Sequence, residues 1–184
     1  MAIHPSFPTS PYEQLNPEYR WFPADETLRE TSYDKLIPPL VHKIRKEIKG
    51  WRDNNYAGVS DTSKALLKWW FSSEHIVQKA DGTMAEFKYY FAQREAVETV
   101  IYLYEVAKVK DKYDLIKYDS SGAVSTGMFD EEWLRLVVKM ATGSGKTKLM
   151  SLIITWCYFH KTYETGSKLS TNFLVIAPNI IVLD

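Results

Sequence analysis

Residues 140–150 read MATGSGKTKLM, between an apolar run and a long apolar stretch. Gly143, Gly145, Lys146 and Thr147 have the types and spacing that a triphosphate requires. Glycines at a bend let backbone N–H groups approach phosphate oxygens that a Cβ would shield. A helix starting near Lys146 aims its positive dipole end at the same oxygens. The Lys146 ammonium reaches the β and γ phosphates, and the Thr147 hydroxyl serves Mg²⁺ bridging them. With Thr142 and Ser144 these residues form a candidate ATP cradle. Lys146 and Thr147 carry its catalytic role, and Thr147 is its metal contact. The general pattern is G-x-x-x-x-G-K-[ST], and Met140 stands where its first glycine falls. That position precedes the tight curve, so a side chain fits there. The alternative is a Gly/Ser turn followed by a surface lysine.

Such a cradle needs a strand before it and a helix after it. LRLVVKM, ending at Met140, is apolar and β-branched, the signature of a buried strand. KTKLMSLIITWCYFHK is apolar nearly all round and predicts a helix covered on most sides. TYETGSKLST reads as a loop, and NFLVIAP as a second continuous apolar strand ending at Pro178. Strand, glycine turn, helix and strand form the pattern of a parallel βαβ unit.

Upstream, residues 1–30 are rich in proline and polar residues and predict an extended arm docking through aromatics such as Tyr12 and Trp21. Residues 31–84 predict a mainly helical region. Pro38 and Pro39 suit a helix start, Ile44, Ile48 and Trp51 follow at helical spacing, and Asn54-Asn55 stops the run. A second helix is capped by Ser60, Asp61 or Thr62, with Ala65, Leu66, Trp69 and Trp70 as its apolar face. Phe87, Tyr89 and Phe91 alternate as in a short strand, and residues 93–109 predict a helix with Ala96, Val97, Val100 and Ile101 on one face. Residues 108–130, charged and containing Gly122 and Gly127, predict a surface insertion or linker.

Lys+Arg and Asp+Glu both number 23, so no global field favours DNA, RNA or an anionic membrane. The single cysteine, Cys157, rules out an internal disulfide framework and fits a reducing cytoplasm; its place in an apolar helix predicts inert core. The first residues lack the pattern of a secretory signal, and the longest apolar run, 151–159, is too short to span a bilayer. The four histidines show no metal or triad spacing. Lys43, Arg45, Lys46, Lys49 and Arg52 make a basic stripe that either neutralises nucleic-acid phosphates or is a solvated face.

MATGSGKT resembles motif I of superfamily 2 helicases and translocases. YYFAQREAVETVIYLYEV, NFLVIAPNIIVLD, LVHKIRKEIKGWRDNNYAG and SDTSKALLKWWF resemble the restriction subunit of type III restriction enzymes and related helicase-like endonucleases, so the likeness covers most of residues 30–184. It implies an α/β fold, with residues 85–184 as an incomplete RecA-like ATP-binding domain after the helical region. It further implies ATP and Mg²⁺ as cofactors. DNA, the remaining motor domains and a modification or specificity subunit are the implied partners. Gln93 is then implied to read the adenine edge, an amide both donating and accepting in one plane, with Tyr90 or Phe91 flanking the base. Arg94 is a further candidate or a solvated surface residue. APNIIVLD resembles motif Ia, which implies that Pro178 and Asn179 contact a nucleic-acid backbone; a plain strand-ending turn is the alternative.

Turnover also needs a carboxylate for Mg²⁺ and arginines facing the γ-phosphate. After the cradle the carboxylates are Glu164, in a loop, and Asp184, the last residue. In RecA-like order the two apolar strands are not neighbours, so they would lack partners. These points predict the N-terminal fragment of an ATP-driven DNA helicase or translocase. The alternatives are a truncated, non-catalytic nucleotide-binding remnant and a small P-loop kinase.

Overall fold

The computed structural model describes residues 10–14, 40–119, 121–122, 124–125, 127 and 136–176. Helix α1 spans Val41–Asp53. It ends at Asn54, after which Asn55 and Tyr56 take left-handed φ values of 51° and 55°. The Trp51 indole N–H closes this turn on the Ala57 carbonyl at 2.9 Å. Helix α2, Asp61–Ser72, begins as the sequence predicts, with the Ser60 hydroxyl accepting from the Ser63 amide. Its buried face is Ser63, Leu67 and Trp70, whereas Ala65 and Trp69 are exposed. The expected face was therefore turned by a residue or two. The cause is polar: Ser63 is drawn inward by Glu105, which its hydroxyl contacts, and by the Trp156 indole N–H, which it accepts at 2.7 Å.

An antiparallel hairpin follows, its first strand inside the stretch expected to be mainly helical. Strand β1 is His75–Gln78 and β2 is Met84–Phe87, with His75 opposite Phe87 and Gln78 opposite Met84. Gly82, at φ 83°, and the Asp81 carboxylate, accepting from the Thr83 amide and hydroxyl at 2.9 and 2.6 Å, shape its turn. The strand predicted through Phe91 stops at Phe87, because Phe91 already opens helix α3, Phe91–Ile101.

A π-helical turn, Tyr102–Val106, extends α3 and swings Glu105 toward α2. Lys108 then adopts a left-handed φ of 51°, and the Val109 amide bonds the Leu103 carbonyl at 2.9 Å. The segment expected as a surface insertion is partly packed. Asp111 caps a short helix α4, Lys112–Ile116, and Val109 and Tyr118 are buried against Leu103.

Helix α5 spans Lys146–Tyr163 and buries Leu149, Leu152, Trp156 and His160. That is one stripe at 3.6 periodicity, not the cover on most sides that its composition predicts. Met150, Tyr158 and Tyr163 on the remaining surface are exposed, because α2 and α3 pack along one side. Cys157 is half-buried, and burial raises its thiol pKa.

One core joins these elements: Ile48 and Trp51 from α1, Leu67 and Trp70 from α2, Val97 and Ile101 from α3, and Leu149, Leu152 and Trp156 from α5. Neither predicted apolar strand forms within the described residues. Residues 136–140 and 172–176 are unpaired, with Val137, Leu174 and Ile176 at 82, 85 and 82% exposure. The two strands described are the antiparallel hairpin, so the expected parallel βαβ unit is absent among the described residues. The physical reason is that an extended segment becomes a strand only when a neighbour takes its N–H and C=O groups. Mixed α and β structure is what the chain shows.

Candidate nucleotide-binding site

The Met140–Thr147 stretch is an exposed turn leading into α5. Gly143 and Gly145 have φ values of 79° and 81°, the left-handed region that glycine enters without cost. Between them Ser144 folds back, its amide and hydroxyl both donating to the Ala141 carbonyl at 3.3 and 2.6 Å. Gly145 is the N-terminal flank of α5, and no side chain caps that end. Lys146, Thr147 and Lys148, the first helical residues, are exposed. A helix start lacks intrahelical acceptors for its first amides, so these N–H groups are suited to an anion. The Lys146 ammonium lies back across the loop, donating to the Ala141 and Met140 carbonyls at 3.0 and 3.3 Å.

Gln93 reaches this loop from the first turn of α3. Its Oε1 accepts from the Tyr90 amide at 3.0 Å, and its Nε2 donates to the Ser144 and Gly145 carbonyls at 3.2 and 3.5 Å. A Cβ on Gly145 would lie 2.0 Å from Gln93 Nε2, so the loop and the amide fit only with glycine there. Both ends of the amide that the family resemblance assigns to adenine are thus engaged within the protein. Of the rings expected beside a base, Phe91 is buried under the Arg52 guanidinium at 5.1 Å, and Tyr90 meets Tyr12 at 5.4 Å.

Arg94 is no solvated surface residue. Its Nε donates to Glu98 at 2.8 Å, and one Nη donates to the Tyr56 hydroxyl at 2.8 Å. Arg52 contributes two more bonds from Nε to Glu98, at 3.0 and 2.9 Å, and the Tyr56 hydroxyl donates to Glu98 at 2.6 Å. Glu98 is fully buried. Burial first, and then the Glu98 charge, push the Tyr56 phenol far above its ordinary pKa. The sequence reading missed this network. Its one local signal was Arg94 and Glu98 four residues apart on a face otherwise apolar.

The basic stripe of α1 is largely spent inside the protein. Arg45 pairs with Glu95 at 3.3 Å, Arg52 with Glu98, Lys49 with Asp53 at 2.7 Å, and Lys43 donates to the Lys117 carbonyl at 3.1 Å. A second buried polar group was also unforeseen. Glu105 gathers the Ser60 amide, the Ser63 hydroxyl and the Trp156 indole, with His160 Nε2 at 3.6 Å. Pro178, Asn179 and Asp184 lie outside the described residues. No group of three or more His, Cys, Asp or Glu among the described residues could hold a metal, and none of their helices is long and apolar enough to cross a membrane.

A model of the family described as type III restriction enzyme, res subunit, matches residues 86–184, more than half of the chain. The chain belongs to that family. No curated protein and no solved structure matches it.

Proposed function

We propose that the chain binds ATP with Mg²⁺ through the 142–147 loop, as the nucleotide-binding part of an ATP-driven helicase or translocase acting on DNA beside a modification subunit. One observation carries this reading. Two left-handed glycines turn an exposed loop into an uncapped helix start, with a lysine folded over its mouth. Triphosphate oxygens entering there take the amides of Gly143, Gly145, Lys146 and Thr147, and Lys146 exchanges two neutral carbonyl partners for anionic ones, a stronger hydrogen bond. Thr147, exposed at the second helical position, presents the hydroxyl for the metal. Mg²⁺ held at the Thr147 hydroxyl would offset the charge of the bound phosphates. Gln93 braces the loop through the Ser144 and Gly145 carbonyls, and reading adenine would require it to leave both. A RecA-like sheet would give residues 136–140 and 172–178 the strand partners they need, and in such a sheet Pro178 and Asn179 would face the nucleic-acid strand.

A second reading, nucleotide binding without turnover by this chain, is favoured by Glu164. Its carboxylate sits past the far end of the 18-residue α5, about 27 Å from the loop, and accepts from the Thr62 amide at 3.0 Å. It is therefore no ligand for a metal at Thr147.

Calorimetric titration with Mg-ATP tests the leading reading. Wild type binds, and Lys146→Ala loses about tenfold to a hundredfold in affinity, the worth of a charge-assisted hydrogen bond. Equal binding by the two proteins would sink the cradle. DNA-stimulated ATP hydrolysis by the purified chain would remove the second reading.

A further inference from the structure

We propose that Lys148 is a second cation for the triphosphate, held in reserve by Phe87 and Tyr89, so that filling the loop frees the end of the hairpin. This inference rests on the cradle reading above. Lys148 is the third residue of α5, exposed and next to Thr147. Its ammonium sits 5.2 Å from the Phe87 ring centre and 5.6 Å from that of Tyr89. Among the described residues it meets no carboxylate and no hydrogen-bond acceptor. An ammonium carries three donors, and a ring face attracts it without accepting a full hydrogen bond from any of them. Lys146 differs, because its ammonium already lies over the loop on the Ala141 and Met140 carbonyls.

The loop and the rings lie on the same side of Lys148. Side chains of a helix lean toward its N-terminus and cover the turn before their own Cα. For Lys148 that turn is the loop itself, residues 144–147. The rings are tied to the same loop by hydrogen bonds. Tyr89 is followed by Tyr90, whose amide donates to Gln93 Oε1 at 3.0 Å, and Gln93 Nε2 donates to the Ser144 carbonyl at 3.2 Å. Lys148 joins α5 to the hairpin by a second path, since Phe87 closes β2 opposite His75.

Rings and phosphate compete for one ammonium. A charge-assisted hydrogen bond to phosphate is stronger than an exposed cation–π contact. Lys148 therefore leaves the rings when the loop is filled, and its flexible four-carbon stem permits the swing without movement of α5. The hairpin then loses this tie. Such a linkage is reciprocal. If phosphate binding costs the ring contact, the ring contact weakens phosphate binding by the same factor.

The test is calorimetric titration of the full chain with Mg-tripolyphosphate, a probe without a base. Four proteins are compared: wild type, Lys148→Met, the ring variant Phe87→Leu with Tyr89→Leu, and all three substitutions together. Removing the rings tightens binding about two- to fivefold, the worth of one exposed cation–π contact. Lys148→Met weakens binding about tenfold and abolishes the gain from removing the rings. A ring variant that binds no more tightly than wild type overturns the inference, as does a gain that persists in Lys148→Met. Hydrogen exchange on the wild type alone is independent of whether any variant folds. Saturating tripolyphosphate speeds exchange of the amides at 84–89 about two- to fivefold, and unchanged or slower exchange overturns the inference. It fails alone when tripolyphosphate binds, Lys146→Ala weakens that binding, and the rings make no difference. A failed cradle looks different: wild type binds no tripolyphosphate, and the inference falls with it.

Discussion

Gly145 and Gln93 are a matched pair. At φ 81° an alanine would cost about 1–2 kcal/mol of backbone strain. Its Cβ would also displace the Gln93 amide from the Ser144 and Gly145 carbonyls. The two effects separate in a double-mutant cycle. Gly145→Ala destabilises the protein more in the wild-type background than in Gln93→Ala, because only the first retains the clash. Denaturant unfolding of the four proteins measures this, and additive costs would show that Gln93 does not brace the loop. The glycine turn before α5 was legible in the sequence because turn chemistry is local. The partner of Gln93 was not, since the amide that can read adenine can equally cap its own helix and hold a carbonyl 51 residues away.

Among the elements, helix existence was easier to read than helix orientation. Ser60 caps α2 and Asp111 caps α4 by hydrogen bonds to neighbouring amides, and such signals are written in adjacent residues. Which face of α2 turns inward depended on Glu105, which lies in the π-helical turn and has no local cause near Ser63. The end of α5 is tied to the start of α2 by Glu164 in a similar way. Hydrogen bonds from Thr62, side chain and backbone, hold the Glu164 carboxyl below the usual range. A depressed folded pKa stabilises the fold above the ordinary carboxylate pKa, and this contribution is lost as pH falls through the lowered value. Glu164→Gln is therefore expected to lower Tm at neutral pH, with the gap to wild type closing as the pH falls below the ordinary carboxylate range. A gap of constant size across that range would show that the carboxylate charge is not what ties the two helices.

For the whole molecule, the helical region and the helix after the loop draw on a single core. Glu98 ties α3 to α1 within it, balancing Arg52 and Arg94. Removing the carboxylate leaves two guanidinium groups unbalanced at this site. Glu98→Ala is expected to cost about 3–5 kcal/mol. Because the core is shared, tryptophan fluorescence and far-UV circular dichroism should report one coincident unfolding transition. Two separated transitions would mean that the elements fold as independent units.

The sequence by itself determined the loop: where it bends and where α5 begins, because glycine conformation and helix-start chemistry are settled within a few residues. It did not determine whether the apolar segments at 136–140 and 172–176 become strands. A strand needs hydrogen-bonding neighbours from elsewhere in the chain, and none is formed among the described residues. Only the tertiary structure decided that Arg52 meets Glu98 across 46 residues, that Gln93 serves the loop, and that an aromatic cleft forms between the end of α2 and the hairpin. Those pairings depend on how helices pack, and a sequence states packing only through periodicity, which tells an apolar face from a polar one but not what each face will meet.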